Sequence, residues 1–226
     1  MIKVEKLSKS YGRKKILSNI SFELEEGKIY GLVGENGAGK TTLFKCLTGI
    51  EKYQGDVKSN LEKLKNSSGF LPSEPYFFKK TTGREYIQLL TNARKIVIDN
   101  IEDKNIFNLP LDQYASTYST GMKKKLALMA ILFQKNDFFI LDEPFNGVDI
   151  EGNILIEKIL QKLKELNKTV IISSHIFTTL KTVCDEIIIL EKGNLTKHIK
   201  RTDYSKLEHK MKNFNMGNQL EKLGLT

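Results

Sequence analysis

Apolar and polar positions along this chain alternate in short blocks whose period changes. Ile2-Lys6 and Ser18-Leu24 read as half-buried strands, and the Glu25-Glu26-Gly27 turn leads into a more apolar strand, Ile29-Val33. After a glycine-rich loop, Leu43, Phe44 and Leu47 share one face at helical spacing within Thr41-Gly49, and Gly49 is a natural stop. From about Ser73 to Ser119 the pattern loosens into polar, helix-like pieces punctuated by Pro110, which predicts an inserted, mostly helical subdomain. Regularity returns with a helix over Met122-Gln134 and a buried strand over Phe138-Asp142. An amphipathic helix then carries Ile156, Ile159, Leu160, Leu163 and Leu166, and further buried strands follow at Thr169-Ser174 and Glu186-Leu190.

Strands that alternate with helices predict an α/β fold with a mostly parallel sheet covered on both faces. Ligands of such sheets sit beyond the carboxyl ends of the strands, where the chemical motifs of this chain also fall. One domain over residues 1–226 is expected, and the tail from about Lys200 is too polar and irregular to assign.

Composition narrows the setting. The chain has 226 residues, 40% of them hydrophobic, and no apolar run near the roughly 20 residues of a spanning helix, so any membrane involved is crossed by another chain. Met1-Ile2-Lys3-Val4-Glu5-Lys6 has no secretory pattern, which predicts that the protein is not exported. Cys46 and Cys184 lack metal-site spacing and read as buried core thiols in a reducing cytoplasm. The net charge of +9 is scattered and comes with no nucleic-acid motif, so no nucleic-acid partner is expected. Local excesses occur at Lys123-Lys124-Lys125 and from Glu191 onward, where eight Lys and Arg stand against four Asp and Glu; these read as solvated faces or as attraction to anionic headgroups.

Two motifs carry the chemistry. Gly34-Glu35-Asn36-Gly37-Ala38-Gly39-Lys40-Thr41, followed by Thr42, fits G-x-x-x-x-G-K-[ST] and lies between a strand and a helix. Its backbone N–H groups and helix N-terminus suit a nucleotide phosphate chain, Lys40 suits the β/γ-phosphates, and Thr41 suits Mg²⁺. Phe138-Phe139-Ile140-Leu141 runs into Asp142 and Glu143; Asp142 is expected to hold Mg²⁺ through water, and Glu143 to polarise the water that attacks the γ-phosphate.

Tyr118-Ser119-Thr120-Gly121-Met122, followed by Lys123-Lys124-Lys125-Leu126-Ala127, resembles the signature motif of ABC ATPases, usually Leu-Ser-Gly-Gly-Gln, and precedes the acidic strand as in that family. His175, after Val170-Ile171-Ile172-Ser173-Ser174, resembles the family's switch histidine, and Tyr11-Gly12 its adenine-stacking aromatic. Asn146-Gly147-Val148-Asp149 resembles the loop after the acidic strand, so the likeness runs from about Ile2 to Gly193. The resemblance implies a P-loop core with an N-terminal antiparallel β subdomain and an inserted α-helical subdomain. It also implies ATP as the nucleotide and a homodimer or heterodimer with a second ABC ATPase subunit.

In such a dimer Ser119 and Gly121 would act on the nucleotide of the other subunit, although Ser119 also reads as the N-cap of the helix it precedes. The family's Mg²⁺-touching glutamine aligns with Ser73 in Gly69-Phe70-Leu71-Pro72-Ser73-Glu74-Pro75, and Ser is too short to reach as Gln does; a water, an inturned Glu74 or looser coupling are the alternatives. The implied function is the ATP-hydrolysing subunit of a transporter, peripheral on the cytoplasmic face of the membrane. It would drive a separate permease, with the Gly-Met-Lys ending of the signature favouring an exporter. A soluble ABC ATPase of chromosome maintenance, iron-sulfur assembly or the ribosome is the alternative, while Glu143 speaks against a regulator that does not hydrolyse. Tyr76, Phe77 and Phe78 fit neither period if all are buried, so at least one is expected outside, with Tyr76 or Phe77 as the docking point for the permease and packing of the insert onto the core as the alternative.

Overall fold

The computed structural model describes residues 1–61, 64–174 and 177–204. Two strands open the chain, β1 (Ile2–Tyr11) and β2 (Lys14–Leu24), and pair as an antiparallel hairpin. Both outrun their alternating segments because register shifts after Val4, Leu7 and Lys9 carry the ladder through positions where the period slips. β3 (Ile29–Val33) and α1 (Lys40–Leu47) follow, and β4 (Gln54–Ser59) pairs with the free edge of β1 to complete a three-stranded sheet ordered β2-β1-β4.

The larger sheet is made by β5 (Ser68–Leu71), β6 (Phe138–Asp142), β7 (Thr169–Ser174), β8 (Glu186–Glu191) and β9 (Asn194–Lys200) together with β3, in the order β5-β6-β7-β3-β8-β9. All pairs are parallel except β8 with β9. The segment between Pro72 and Ser119 contains one α-helix, α2 (Gly83–Asn92), and a 3₁₀ turn at Ala115–Thr117; the remainder is turns and extended chain. Thr82 starts α2 with a full capping box to Glu85. Helices α3 (Thr120–Phe133), α4 (Ile150–Glu165) and α5 (Phe177–Val183) complete the order.

Period-2 alternation divides each central strand between two cores. Ile29, Phe139, Leu141, Val170, Ile172 and Ile187 face a layer formed with α2, α3 and α4. Tyr30, Leu32, Phe138, Ile140, Ile171 and Ile188 face α1 and the antiparallel sheet. Each such side chain contributes about 1.5–3 kcal/mol on burial, which is what holds the strand ends and their polar residues in place. Cys46 and Cys184 are buried free thiols, as expected.

Two expectations change. The lysine run at 123–125 is not a solvated face: none of the three is exposed, Lys124 is only 2% accessible, and Lys125 pairs with Asp149 at 2.8 Å. The first turn of α3 is pressed against the loop after β6, so its lysines point into protein. Among the aromatics, Tyr76 and Phe78 are exposed and meet edge to face, whereas Phe77 is buried with its ring 4.5 Å from that of Tyr86.

Candidate functional site

The carboxyl ends of β3, β6 and β7 lie side by side because β7 pairs with both of the others, and β6 and β7 end in polar residues, Asp142 and Ser173-Ser174. Val33, the last residue of β3, is followed directly by the loop Gly34–Gly39 and then by α1. Gly39 takes φ +108°, and a Cβ there would stand 2.8 Å from Leu17 Cδ2, so glycine is required where the loop turns into the helix. The loop is tied down by Gly193 N donating to the Ala38 carbonyl at 3.0 Å and by Ala38 N donating to the Glu35 carbonyl at 3.1 Å. Glu35, Asn36 and Gly37 at its crest are exposed.

Lys40, the first residue of α1, is 7% exposed and folds its ammonium back under the loop. It donates to the carbonyls of Gly34 at 2.6 Å and Glu35 at 3.3 Å, and lies 4.0 Å from Glu143 Oε1. Thr41 donates its hydroxyl to Asp142 Oδ2 at 2.6 Å, and Ser173, from the end of β7, donates to Asp142 Oδ1 at 2.5 Å. Asp142 is 1% exposed, and hydrogen bonds of this charged kind are worth about 1.5–3 kcal/mol each. Glu143 follows in the left-handed region at φ 52°, with its N–H donated to Ser173 Oγ at 2.9 Å and its carbonyl accepting from Lys124 Nζ.

The structure therefore gathers Lys40, Thr41, Asp142 and Glu143 beside the phosphate-type loop, Thr41 hydrogen-bonded to Asp142 and Lys40 facing Glu143 at ion-pair distance, while Thr42 is half-buried next along α1. A hydroxyl and a carboxylate are hard oxygen donors of the kind Mg²⁺ takes, and the ion completes its shell from phosphates and water. Among the described residues there is no cluster of three or more His, Cys, Asp or Glu that could hold a metal ion. Ser73 stands two residues past the end of β5, and β5 pairs in parallel with β6, so Ser73 is on the same edge of the sheet as Asp142. The exposed Glu74 acts electrostatically on Lys124.

Ser119 and Gly121 form a second group. Ser119 is exposed and caps α3, accepting from Met122 N at 3.3 Å. A Cβ on Gly121 would stand 2.5 Å from the Gly147 carbonyl, so the signature segment packs on the loop after β6 with no room for a side chain. Tyr118 donates its hydroxyl to the Pro110 carbonyl at 2.6 Å, fastening the inserted segment to the start of α3. Tyr11 keeps an exposed ring, with Lys9 Nζ 4.6 Å from its centroid and its hydroxyl bonded to Glu51. His175 lies outside the described residues.

Two participants were missed in the sequence. Ser173 stands in register with Asp142, and a serine ending an otherwise apolar strand was the available signal. Lys124 was hidden by its neighbours in the lysine run.

Comparison with known proteins agrees with this geometry. The family model described as ABC transporter matches residues 17–146. An uncharacterized ABC transporter ATP-binding protein of Methanocaldococcus jannaschii is 36% identical over 215 residues, covering 92% of this chain and 78% of that protein. The bacitracin transport ATP-binding protein BcrA of Enterococcus faecalis is 31% identical, covering 96% of this chain and 74% of its own. Among solved structures, CbiO1 of Clostridium perfringens, part of the ABC transporter complex CbiONQ, superposes with a TM-score of 0.72 at 25% identity, covering 99% of this chain and 96% of that one. With its phosphate loop, acidic strand and signature helix in that arrangement, the chain belongs to the ABC transporter family, as an ATP-binding and ATP-hydrolysing subunit.

Proposed function

We propose that this chain hydrolyses Mg²⁺-ATP as one half of a two-fold dimer, peripheral on the cytoplasmic face of a membrane, and drives a separate permease that works as an exporter. The observation that carries the reading is the placement of the Glu143 carboxylate 4.0 Å from the Lys40 ammonium, at the mouth of the phosphate-type loop.

When ATP enters, Lys40 turns from its loop carbonyls to the β/γ-phosphates, and the loop N–H groups hold the phosphate chain. Tyr11 stacks on the adenine. Thr41, and Asp142 through water, would hold Mg²⁺, with Ser73 at the same end of the sheet; the ion would supply positive charge against the phosphate oxygens. Glu143 orients the attacking water, and the sensing of the γ-phosphate is assigned to His175 from the family resemblance alone. Ser119 and Gly121 complete the site of the partner subunit, because a capped helix start exposed to solvent suits an anion presented from outside.

Transport is supported by the likeness to a bacitracin transport protein, and export by the Gly-Met-Lys ending of the signature. No described helix is long and apolar enough to cross a membrane, and the CbiO1 likeness is to a part of a larger complex. The test is Glu143→Gln: it should bind ATP normally, slow hydrolysis by about 10²-fold or more, and accumulate as an ATP-bound dimer. A wild-type rate of phosphate release would remove Glu143 from the reaction.

A further inference from the structure

Lys124 lies one turn into α3, 2% exposed, with its ammonium donated to the carbonyl of Glu143. Burying an ammonium costs several kcal/mol, and an apolar side chain of similar length would fill the same space without that cost. Packing therefore does not account for a lysine here. Burial pushes its pKa down, while the charges of Glu143, Asp142 and Glu74 act the other way.

The groups it touches give its presence a reason. Glu143 holds φ 52°, a conformation that costs a non-glycine residue about 1–3 kcal/mol unless its surroundings impose it. Its N–H is fixed by Ser173 from β7, and its carbonyl is fixed by Lys124 from α3. With the peptide groups on both sides of the Cα held from different elements, the direction in which the side chain leaves the backbone is set. That direction places the carboxylate near Lys40.

We propose that Lys124 is a positioning residue for ATP hydrolysis: by holding the Glu143 carbonyl it maintains the backbone that aims the carboxylate, and it ties the first turn of α3 to the reacting site of the same subunit. The inference rests on Glu143 acting as the water-orienting base. Because the same turn of α3 begins at Ser119 and Gly121, a displacement of the signature segment reaches Glu143 through one side chain.

The test compares Lys124→Met, which keeps the apolar stem and removes the donor, with Lys124→Gln, which has the same reach as Met and keeps an N–H donor one atom short of the lysine ammonium. Lys124→Met is expected to lower kcat by about 10- to 100-fold, the scale of a misplaced catalytic group, with ATP affinity within about twofold of wild type and an unchanged Tm. Lys124→Gln should recover part of the lost kcat. In a Glu143→Gln background, followed in single turnover, adding Lys124→Met should cost nothing more, because the group it positions is gone. Wild-type kcat in Lys124→Met, or an equal further loss in the Glu143→Gln background, overturns the proposal. Should Lys124→Met not fold, Lys124→Leu, which also lacks a donor, is read in its place, and wild-type kcat there overturns the proposal. A wild-type rate for Glu143→Gln itself strikes the base assignment, whereas an impaired Glu143→Gln beside a normal Lys124→Met strikes Lys124 only.

Discussion

The hydroxyl of Thr41 donates to Asp142 Oδ2 at 2.6 Å across 101 positions of sequence, joining the helix of the phosphate-type loop to the tip of the acidic strand. A Mg²⁺ ion would be held by the Thr41 hydroxyl and, through water, by Asp142, so the bond marks the place where loop and strand converge on one ligand. Chelating Mg²⁺ should stop phosphate release. Asp142→Asn, which keeps shape and loses charge, should raise the Mg²⁺ concentration needed for half-maximal activity by about tenfold or more, on the scale of one lost charged ligand. A Mg²⁺ titration unchanged by Asp142→Asn would contradict the assignment.

Ser119 caps its own helix while lying exposed, and the second role proposed for it, on the nucleotide of another subunit, can be separated genetically. Lys40→Ala should lose ATP affinity and Ser119→Arg should lose activity, each alone. Mixing the two leaves one intact composite site in each mixed dimer. Activity should reappear at about a quarter of wild type, since half of the dimers are mixed and each has one site of two. Cross-linked mixed dimers that bind ATP yet stay inactive would count against a signature acting in trans.

The three aromatics after Pro75 divide by burial, and the division predicts different failures. Tyr76→Glu with Phe78→Glu alters an exposed pair, and should leave Tm and ATP affinity intact while reducing co-purification with the permease. Phe77→Asp places a charge in the contact with Tyr86 and should lower Tm by about 10 °C, in line with a loss of about 4 kcal/mol in a domain of this size. A double variant at Tyr76 and Phe78 that folds and docks normally would move the permease contact elsewhere.

The central strands and their helices were legible because burial on both faces leaves apolar runs that little else produces. Phe138–Asp142 and Thr169–Ser174 have the bounds their patterns predict. Strands β4 and β9 were not legible: each lies at a sheet edge and is mostly exposed, held by ladder hydrogen bonds to which its side chains add little. The same limit applies between Pro72 and Ser119, where polar residues that could form helices settle mainly into turns fixed by contacts such as Tyr118 to Pro110.

For the site, sequence by itself determined which residues bear the chemistry, since Gly34–Thr41 and Asp142–Glu143 are contiguous and their spacing carries its own mechanism. Tertiary structure decided how those residues are held. Ser173 reaches Asp142 and the Glu143 N–H only because β7 lies beside β6 in register, and Lys124 reaches the Glu143 carbonyl only because α3 packs over the end of that strand. A lysine in a run of three looks the same in sequence whether it points to water or to a carbonyl. What separates the two is the packing of elements distant along the chain, and that register is a property of the fold as a whole.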